Sequence, residues 1–111
     1  MANTFKRKLS SSIGTTPTDV GGYTVAANTT TIVVGFAVTN RTGSAITANV
    51  YIQDVAVANT YLVVNAPISA GSSLVVGGGD QKIVLETGDS MFVQSSASSS
   101  VDAVMSIMEI T

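Results

Sequence analysis

The side chains that most often catalyse reactions are missing or scattered in this sequence of 111 residues. It contains no histidine and no cysteine, so its many serines have no ordinary general base to activate them. Paired carboxylates for glycoside hydrolysis would need a cleft lined with aromatic residues, and the chain has three tyrosines, three phenylalanines and no tryptophan. The composition therefore predicts a protein that is not an enzyme.

Two short stretches have the residue types of ligand sites. The run Gly77–Asp80 has the glycine content of a phosphate-binding loop, but such a loop requires a Lys-Ser/Thr pair that opens a helix, and here a β-type run at 81–85 follows. We therefore predict a hairpin loop. Asp80, Glu86 and Asp89 are clustered acids, but their spacing matches no calcium motif, which needs roughly six to eight oxygen ligands. We expect no metal and no cofactor.

Charge is sparse in this chain. Five basic and seven acidic residues give a formal net charge of −2, and 11% of the residues are charged, against about 25% in an ordinary soluble domain. Lys6, Arg7 and Lys8 supply three of the five basic residues, too few phosphate contacts for a nucleic-acid ligand. A surface with so few charges is poorly protected against association, which favours a subunit covered by neighbours over an isolated domain.

No stretch of the sequence predicts contact with a membrane. No apolar run approaches the roughly 18 residues that a membrane-spanning helix requires. The basic N-terminal cluster is not followed by the apolar segment of a secretory signal.

Short β-rich runs separated by Gly, Pro, Asp and Ser clusters dominate the chain. Residues 29–40 and 46–53 alternate in character, 23–25 and 60–64 are shorter runs, and the stretch from 65 to 110 contains four more. In the first of these runs the side chains predicted to form one apolar face are Ile32, Val34, Phe36 and Val38. No helix of ten residues is predicted. The pattern predicts one all-β domain, an antiparallel β-sandwich of eight to nine strands.

The two ends of the chain differ from the rest. We predict that residues 1–16 form an N-terminal arm, extended or paired as an edge strand, and that residues 17–111 form the sandwich domain. Phe5 and Leu9 flank the basic triplet and have no place in the sandwich alternation. An arm of this kind can dock a subunit onto its neighbours, with complementary charge aiding the encounter.

The last strand is apolar on both faces, because Val101, Ala103, Met105 and Ile107 alternate with Val104, Met108 and Ile110. Such a strand lies either in the middle of a covered sheet or at a subunit interface. The candidate interaction residues are therefore Phe5, Lys6, Arg7, Lys8, Leu9, Val104, Met108 and Ile110.

Turn-and-strand motifs occur at residues 1–6, 65–76, 78–85 and 88–89 and near the end of the chain, at 99–103 and 108–111. In these motifs the sequence resembles small virion structural proteins of tailed bacteriophages, particularly phages of aquatic bacteria. The similarity covers nearly the whole chain and is least specific at 15–28 and 54–60. The resemblance implies a compact β-sandwich, often jelly-roll-like, that assembles repeatedly on the particle.

The role that we predict is capsid decoration, in which copies bind the outer shell, reinforce it and contact the major capsid protein. The implied location is the virion, after assembly in the host cytoplasm, and the implied oligomer is a homotrimer. A neck, tail or fibre-associated subunit is the alternative. From another class, a carbohydrate-binding β-sandwich module stays open; such modules present aromatic platforms, and Tyr23, Tyr51 and Tyr61 are too scattered in the sequence to predict one.

Overall fold

Eight strands form two antiparallel sheets in the computed structural model, which describes residues 2–56 and 58–111 and, among these, all side chains except those of 78–81. Runs of β-branched and aromatic residues form the strands, and Gly, Asn, Asp and Ser lie in the connections. The strands are β1 (Asn3–Ile13), β2 (Thr18–Asp19), β3 (Thr30–Asn40), β4 (Ile46–Gln53), β5 (Asn59–Ile68), β6 (Ser73–Leu85), β7 (Ser90–Ser95) and β8 (Val101–Ile110).

The strand order identifies the topology. The first sheet runs β1-β8-β3-β6 and the second runs β2-β7-β4-β5. The chain crosses between the sheets at every connection except the β4–β5 hairpin, and its first and last strands pair with each other. This wrapping of eight strands over two sheets is the jelly roll. The predicted antiparallel β-sandwich with a jelly-roll-like arrangement is confirmed.

The core lies between the two sheets, where the inner side chains of both meet. In β8 the predicted alternation is confirmed, since Val101, Ala103, Met105 and Ile107 are almost fully buried. In β4 the inner positions Ile46, Ala48 and Val50 are buried in the same way. Alternation with period two is therefore what builds both faces of this core.

The alternation predicted for β3 is wrong in its first half. Ile32 and Val34 are only half-buried, whereas Val33 is fully buried. The pairing of β3 with both of its neighbours shifts register between Val33 and Gly35. A bulge of this kind reverses which side chains face the core, so the strand begins in one phase and ends in the other.

The hairpin loop predicted at Gly77–Asp80 is also wrong. Strand β6 is continuous through this run, and Gly77 and Gly78 pair with Phe36 and Gly35 of β3. The next pair is Val33 with Ile83, so residues 79–82 lie opposite a single residue of β3 and form a bulge. The side chain of Asp80, one of the three clustered acids, lies outside the described side chains.

The segment predicted as an arm or edge strand forms β1, the edge strand of the first sheet. Its pairing with β8 extends from Asn3 opposite Ile110 to Ile13 opposite Val101, with a register shift after Ser10. The segment from Thr18 to Gly22, comprising β2 and one 3-10 turn, follows it. The short strand predicted at 23–25 is not observed among the described residues; β2 occurs earlier instead.

A glycine fixes how closely the 3-10 turn approaches β1. Gly21 has a φ of +64°, and a Cβ built on it would lie 2.7 Å from the Cβ of Lys8. Any other residue at this position would be strained by the positive φ, and its Cβ would also clash with Lys8. The turn can therefore lie directly against the inner side of the edge strand.

Candidate interaction surfaces

The outer face of the first sheet carries two apolar rows that cross all four strands. Residues directly opposite each other in neighbouring strands point to the same side of the sheet. The first row is Phe5, Met108, Ile32 and Val84, and the second is Leu9, Val104, Ala37 and Val75. We call these eight side chains together the apolar face.

The apolar face is open to solvent. The exposed fractions are 73% for Phe5, 71% for Val75 and 57% for Val84, and Leu9 and Val104 are each 49% exposed. Beside Leu9 and Val104 the surface has a recess of about 300 Å³. Contiguous apolar surface of this kind marks an interaction site far better than single exposed residues do.

Strand alternation separates the members of the basic triplet. Arg7 lies opposite Ser106 on the outer side, between the two apolar rows. Lys6 points inward, and its Nζ lies 2.9 Å from Oε1 of Glu109. Lys8 also points inward, with its Nζ 4.9 Å from the centre of the Tyr23 ring. The triplet is therefore not a single basic patch.

Arg7 is the cation that the apolar face presents on β1. It forms no hydrogen bond or ion pair with another of the residues that the structure describes. A charge covered by a partner must be paired or hydrogen-bonded, because an uncompensated buried charge is strongly destabilising. A partner that covers this face must therefore bring a carboxylate, or another strong acceptor, opposite Arg7.

The other interaction residues predicted from the sequence divide between the two sides of the first sheet. Phe5, Leu9, Val104 and Met108 belong to the apolar face, and Ile110 lies at the end of β8 on the same side. Lys6 and Lys8 have partners inside the domain instead. Sequence reasoning missed the contributions of β3 and β6 to this face, because these depend on strand order.

Two titratable groups with a perturbed pKa, Tyr23 and Glu109, lie beside the inner side of β1. The Tyr23 hydroxyl donates a 2.6 Å hydrogen bond to Oε2 of Glu109 and lies 2.7 Å from Oγ1 of Thr31. The hydrogen bond from Tyr23, followed by that from Lys6, lowers the pKa of Glu109. Burial, reinforced by the hydrogen bond to Glu109, raises the pKa of Tyr23 to about 12. This cluster joins β1, β3 and β8.

Among the described side chains, no group of three or more acids comes together to hold a metal ion. No helix in the described part of the chain is long and apolar enough to cross a membrane.

The outer face of the second sheet carries an aromatic row, formed by Phe92, Tyr51 and Tyr61. Tyr51 lies opposite Phe92 of β7 on one side and Tyr61 of β5 on the other. The ring centres of Tyr51 and Tyr61 are 5.0 Å apart, and those of Tyr51 and Phe92 are 5.3 Å apart with parallel planes. Asp19 of β2 extends the row beyond Phe92.

The prediction that the three tyrosines are too scattered to form an aromatic platform is wrong for two of them. Tyr51 and Tyr61 contact each other, while Tyr23 is hydrogen-bonded to Glu109 in the cluster on the inner side of β1. The outward position of Tyr51 was readable from the alternation of β4, but Phe92 and Asp19 join the row only through strand pairing. Sequence reasoning had no signal for them.

No protein-family model matches the sequence, and no curated protein does either. Solved structures share its fold. The chain is similar to a chain of the Bacillus endospore appendages, a family of disulfide-linked pili, at 12% identity and a TM-score of 0.59 over 98% of this chain and 88% of that chain. It is also similar to the nucleoplasmin-like N-terminal domain of Drosophila FKBP39, at 12% identity and a TM-score of 0.50, over 98% and 92% of the two chains.

The fold is also similar to part of a viral protein chain. The similarity is to a chain in the structure of infectious bursal disease virus, Gx strain, at 11% identity and a TM-score of 0.52, over 96% of this chain and 32% of the viral chain. This chain thus spans about a third of the viral chain that it matches. At such low identities these similarities show that the β-sandwich fold is shared.

Proposed function

We propose that the protein is a non-enzymatic structural subunit of a bacteriophage virion that binds its neighbours through the apolar face. The observation that carries this proposal is the contiguous, solvent-exposed patch that includes Phe5, Val75 and Val84. The shared fold with a pilus protein and with a viral protein supports a role in a repeating assembly. The sequence resemblance to virion proteins of tailed phages supports the phage particle as that assembly.

Within the virion, the proposed role is capsid decoration, in which copies bind the outer shell next to the major capsid protein and reinforce it. A neck, tail or fibre-associated subunit is the alternative. Quantitative mass spectrometry of purified particles separates the two. A copy number on the scale of the major capsid protein supports decoration, and a copy number limited to the symmetry of one tail or neck supports the alternative.

The proposed subunit is a homo-oligomer, and the trimer is the stoichiometry that the phage resemblance implies. Val104, Met108 and Ile110 on β8 are proposed to lie near the contact between copies. Arg7 between the apolar rows favours a heterologous contact, in which the face of one copy meets a different surface of the next. Contacts of this kind form a closed ring when the rotations between successive copies add up to one full turn.

Binding to particles tests the proposed docking face. Phage particles lacking this subunit are mixed with purified protein, sedimented, and assayed for bound protein. Phe5→Asp and Val75→Asp place a carboxylate at opposite edges of the apolar face, on β1 and β6. Each is expected to weaken binding about tenfold or more, because burying an unpaired charge at an interface is costly.

The matched control is Val64→Asp, which introduces the same charge at a valine that is 61% exposed on β5 of the second sheet. It should bind like the wild-type protein, and all three variants should keep the wild-type thermal midpoint because their positions are exposed. Absence of wild-type binding to any particle would refute the virion role. Equal binding by all variants would refute the apolar face as the docking site.

A further inference from the structure

The aromatic row on the second sheet has one exposed ring supported by two others. Tyr61 is 46% exposed, whereas Tyr51 is only 4% exposed because its neighbours in the row cover it. Phe92 is half-buried. Tyr51 therefore holds the row in place, and Tyr61 offers its ring to solvent.

Amide side chains border the row on both sides along β4. On one side, Nε2 of Gln53 donates a 3.1 Å hydrogen bond to Oδ1 of Asn59. This leaves the Gln53 carbonyl oxygen and the Asn59 amide hydrogens free for a ligand, as far as the described residues show. On the other side, Nδ2 of Asn49 lies 3.4 Å from Oε1 of Gln94. Donors and acceptors thus lie on the same outer face as the Tyr61 ring.

Asp19 adds a carboxylate at the far end of the row. It lies opposite Phe92 and forms no hydrogen bond or ion pair with the other side chains that the structure describes. A free carboxylate beside an aromatic surface can accept hydrogen bonds from hydroxyl groups. The same negative charge repels anionic ligands.

Two classes of ligand match an aromatic row with a carboxylate: an organic cation and a neutral sugar. A cation is bound best when aromatic faces surround it. Here the ring centres are 5.0 Å and 5.3 Å apart, so the rings contact one another and leave no gap between them. The row crosses three strands over about 10 Å from the usual strand spacing, with the Tyr61 ring tilted by 47° against that of Tyr51. It instead suits an extended ligand that lies along the sheet.

We infer that the aromatic row with Asp19, Gln53 and Asn59 is a binding site for a neutral oligosaccharide. The apolar face of one sugar unit stacks on Tyr61, with its hydroxyl groups bonding to the amides of Gln53 and Asn59. A hydroxyl group of another unit farther along the row bonds to the carboxylate of Asp19, three strands away from Tyr61. This site lies on the sheet opposite to the apolar face and does not depend on the proposed structural role. A virion subunit that docks through the first sheet would display it outward.

Isothermal titration calorimetry of the full chain tests this inference. The probes are neutral hexasaccharides of glucose, mannose, xylose and N-acetylglucosamine, with an oligomer of alginate as the anionic probe and choline as the cationic one. We expect saturable binding of at least one neutral probe, and tyrosine fluorescence should change with it because the chain has no tryptophan. Tyr61→Ala should weaken this binding about tenfold or more, and Asp19→Ala should weaken it several-fold.

The control is Val64→Ala, which truncates an exposed side chain of the same strand outside the row and should leave the affinity unchanged. Thermal midpoints of all variants show that they are folded. The inference is overturned if no neutral probe binds at millimolar concentration, if choline or alginate binds more tightly than every neutral probe, or if a folded Tyr61→Ala variant keeps the wild-type affinity.

Discussion

The hydroxyl of Tyr23 donates a 2.6 Å hydrogen bond to Oε2 of Glu109, a residue 86 positions later in the chain. The other carboxylate oxygen of Glu109 accepts from Lys6 at 2.9 Å. These contacts join the segment before β3 to the last strand and to the edge strand. The charge on Glu109 therefore contributes to how firmly β1 is held.

Loss of this charge in acid should weaken the fold. The hydrogen bond from Tyr23 lowers the pKa of Glu109 in the folded protein, so the carboxylate adds stability above its unfolded pKa. That contribution is lost as the pH falls through the folded pKa. Glu109→Gln should therefore show a smaller drop in thermal midpoint between pH 7 and about pH 3 than the wild-type protein. Glu86→Gln, at an exposed glutamate, is the control, and an unchanged acid dependence in Glu109→Gln would contradict the prediction.

Removal of β1 should destabilise the whole domain. Deleting residues 2–12 removes the ladder between β1 and β8, together with the Lys6–Glu109 ion pair. We expect the thermal midpoint to fall by at least about 5 °C, measured by circular dichroism. The double variant Phe5→Ser, Leu9→Ser keeps the ladder, loses only outward side chains and should stay near the wild-type midpoint. A truncated protein as stable as the wild type would show that this segment is a detachable arm.

Asn40 should be among the most sensitive polar positions. It is fully buried, its Nδ2 donates to the carbonyl oxygens of Ser44 and Ile68, and its Oδ1 accepts from the backbone of Thr42. Asn40→Ala leaves these groups without their partner and should lower the free energy of unfolding by about 2–4 kcal/mol. Urea denaturation measures this loss. Asn3→Ala, at an exposed asparagine of β1, should change stability little, and equal effects at the two sites would refute the argument.

The charge of Arg7 should decide how well the apolar face docks on particles. Arg7 has no ion-pair partner among the described residues, so a complementary carboxylate has to come from the partner. We expect binding to decrease in the order Arg7→Lys, Arg7→Gln, Arg7→Glu, with the variants that lack the cation also losing part of the salt dependence. Thr60→Glu, on β5 of the second sheet, controls for added negative charge. Equal affinity across the Arg7 series would show that the partner has no acid at this position.

Local sequence was enough to predict which side chains of a regular strand share a face. In β8 the alternation is unbroken, so Met105 and Val104 were correctly assigned to opposite faces, and the structure buries the first and exposes the second. This information is local, because side-chain direction in a strand has a period of two residues. The same periodicity, with turn residues between the runs, was enough to give the sandwich class.

Which strands are neighbours, and in what register, depends on contacts between segments far apart in the chain. The pairing of β1 with β8, and of β3 with β6, places Phe5 and Val84 in one row across the sheet. A bulge near Gly35 turns the side chain of Ile32 away from the core. The pairing of β4 with β5 places Tyr61 opposite Tyr51. Register and strand order result from contacts between distant segments, which local alternation does not encode. Both candidate interaction surfaces depend on that non-local pairing.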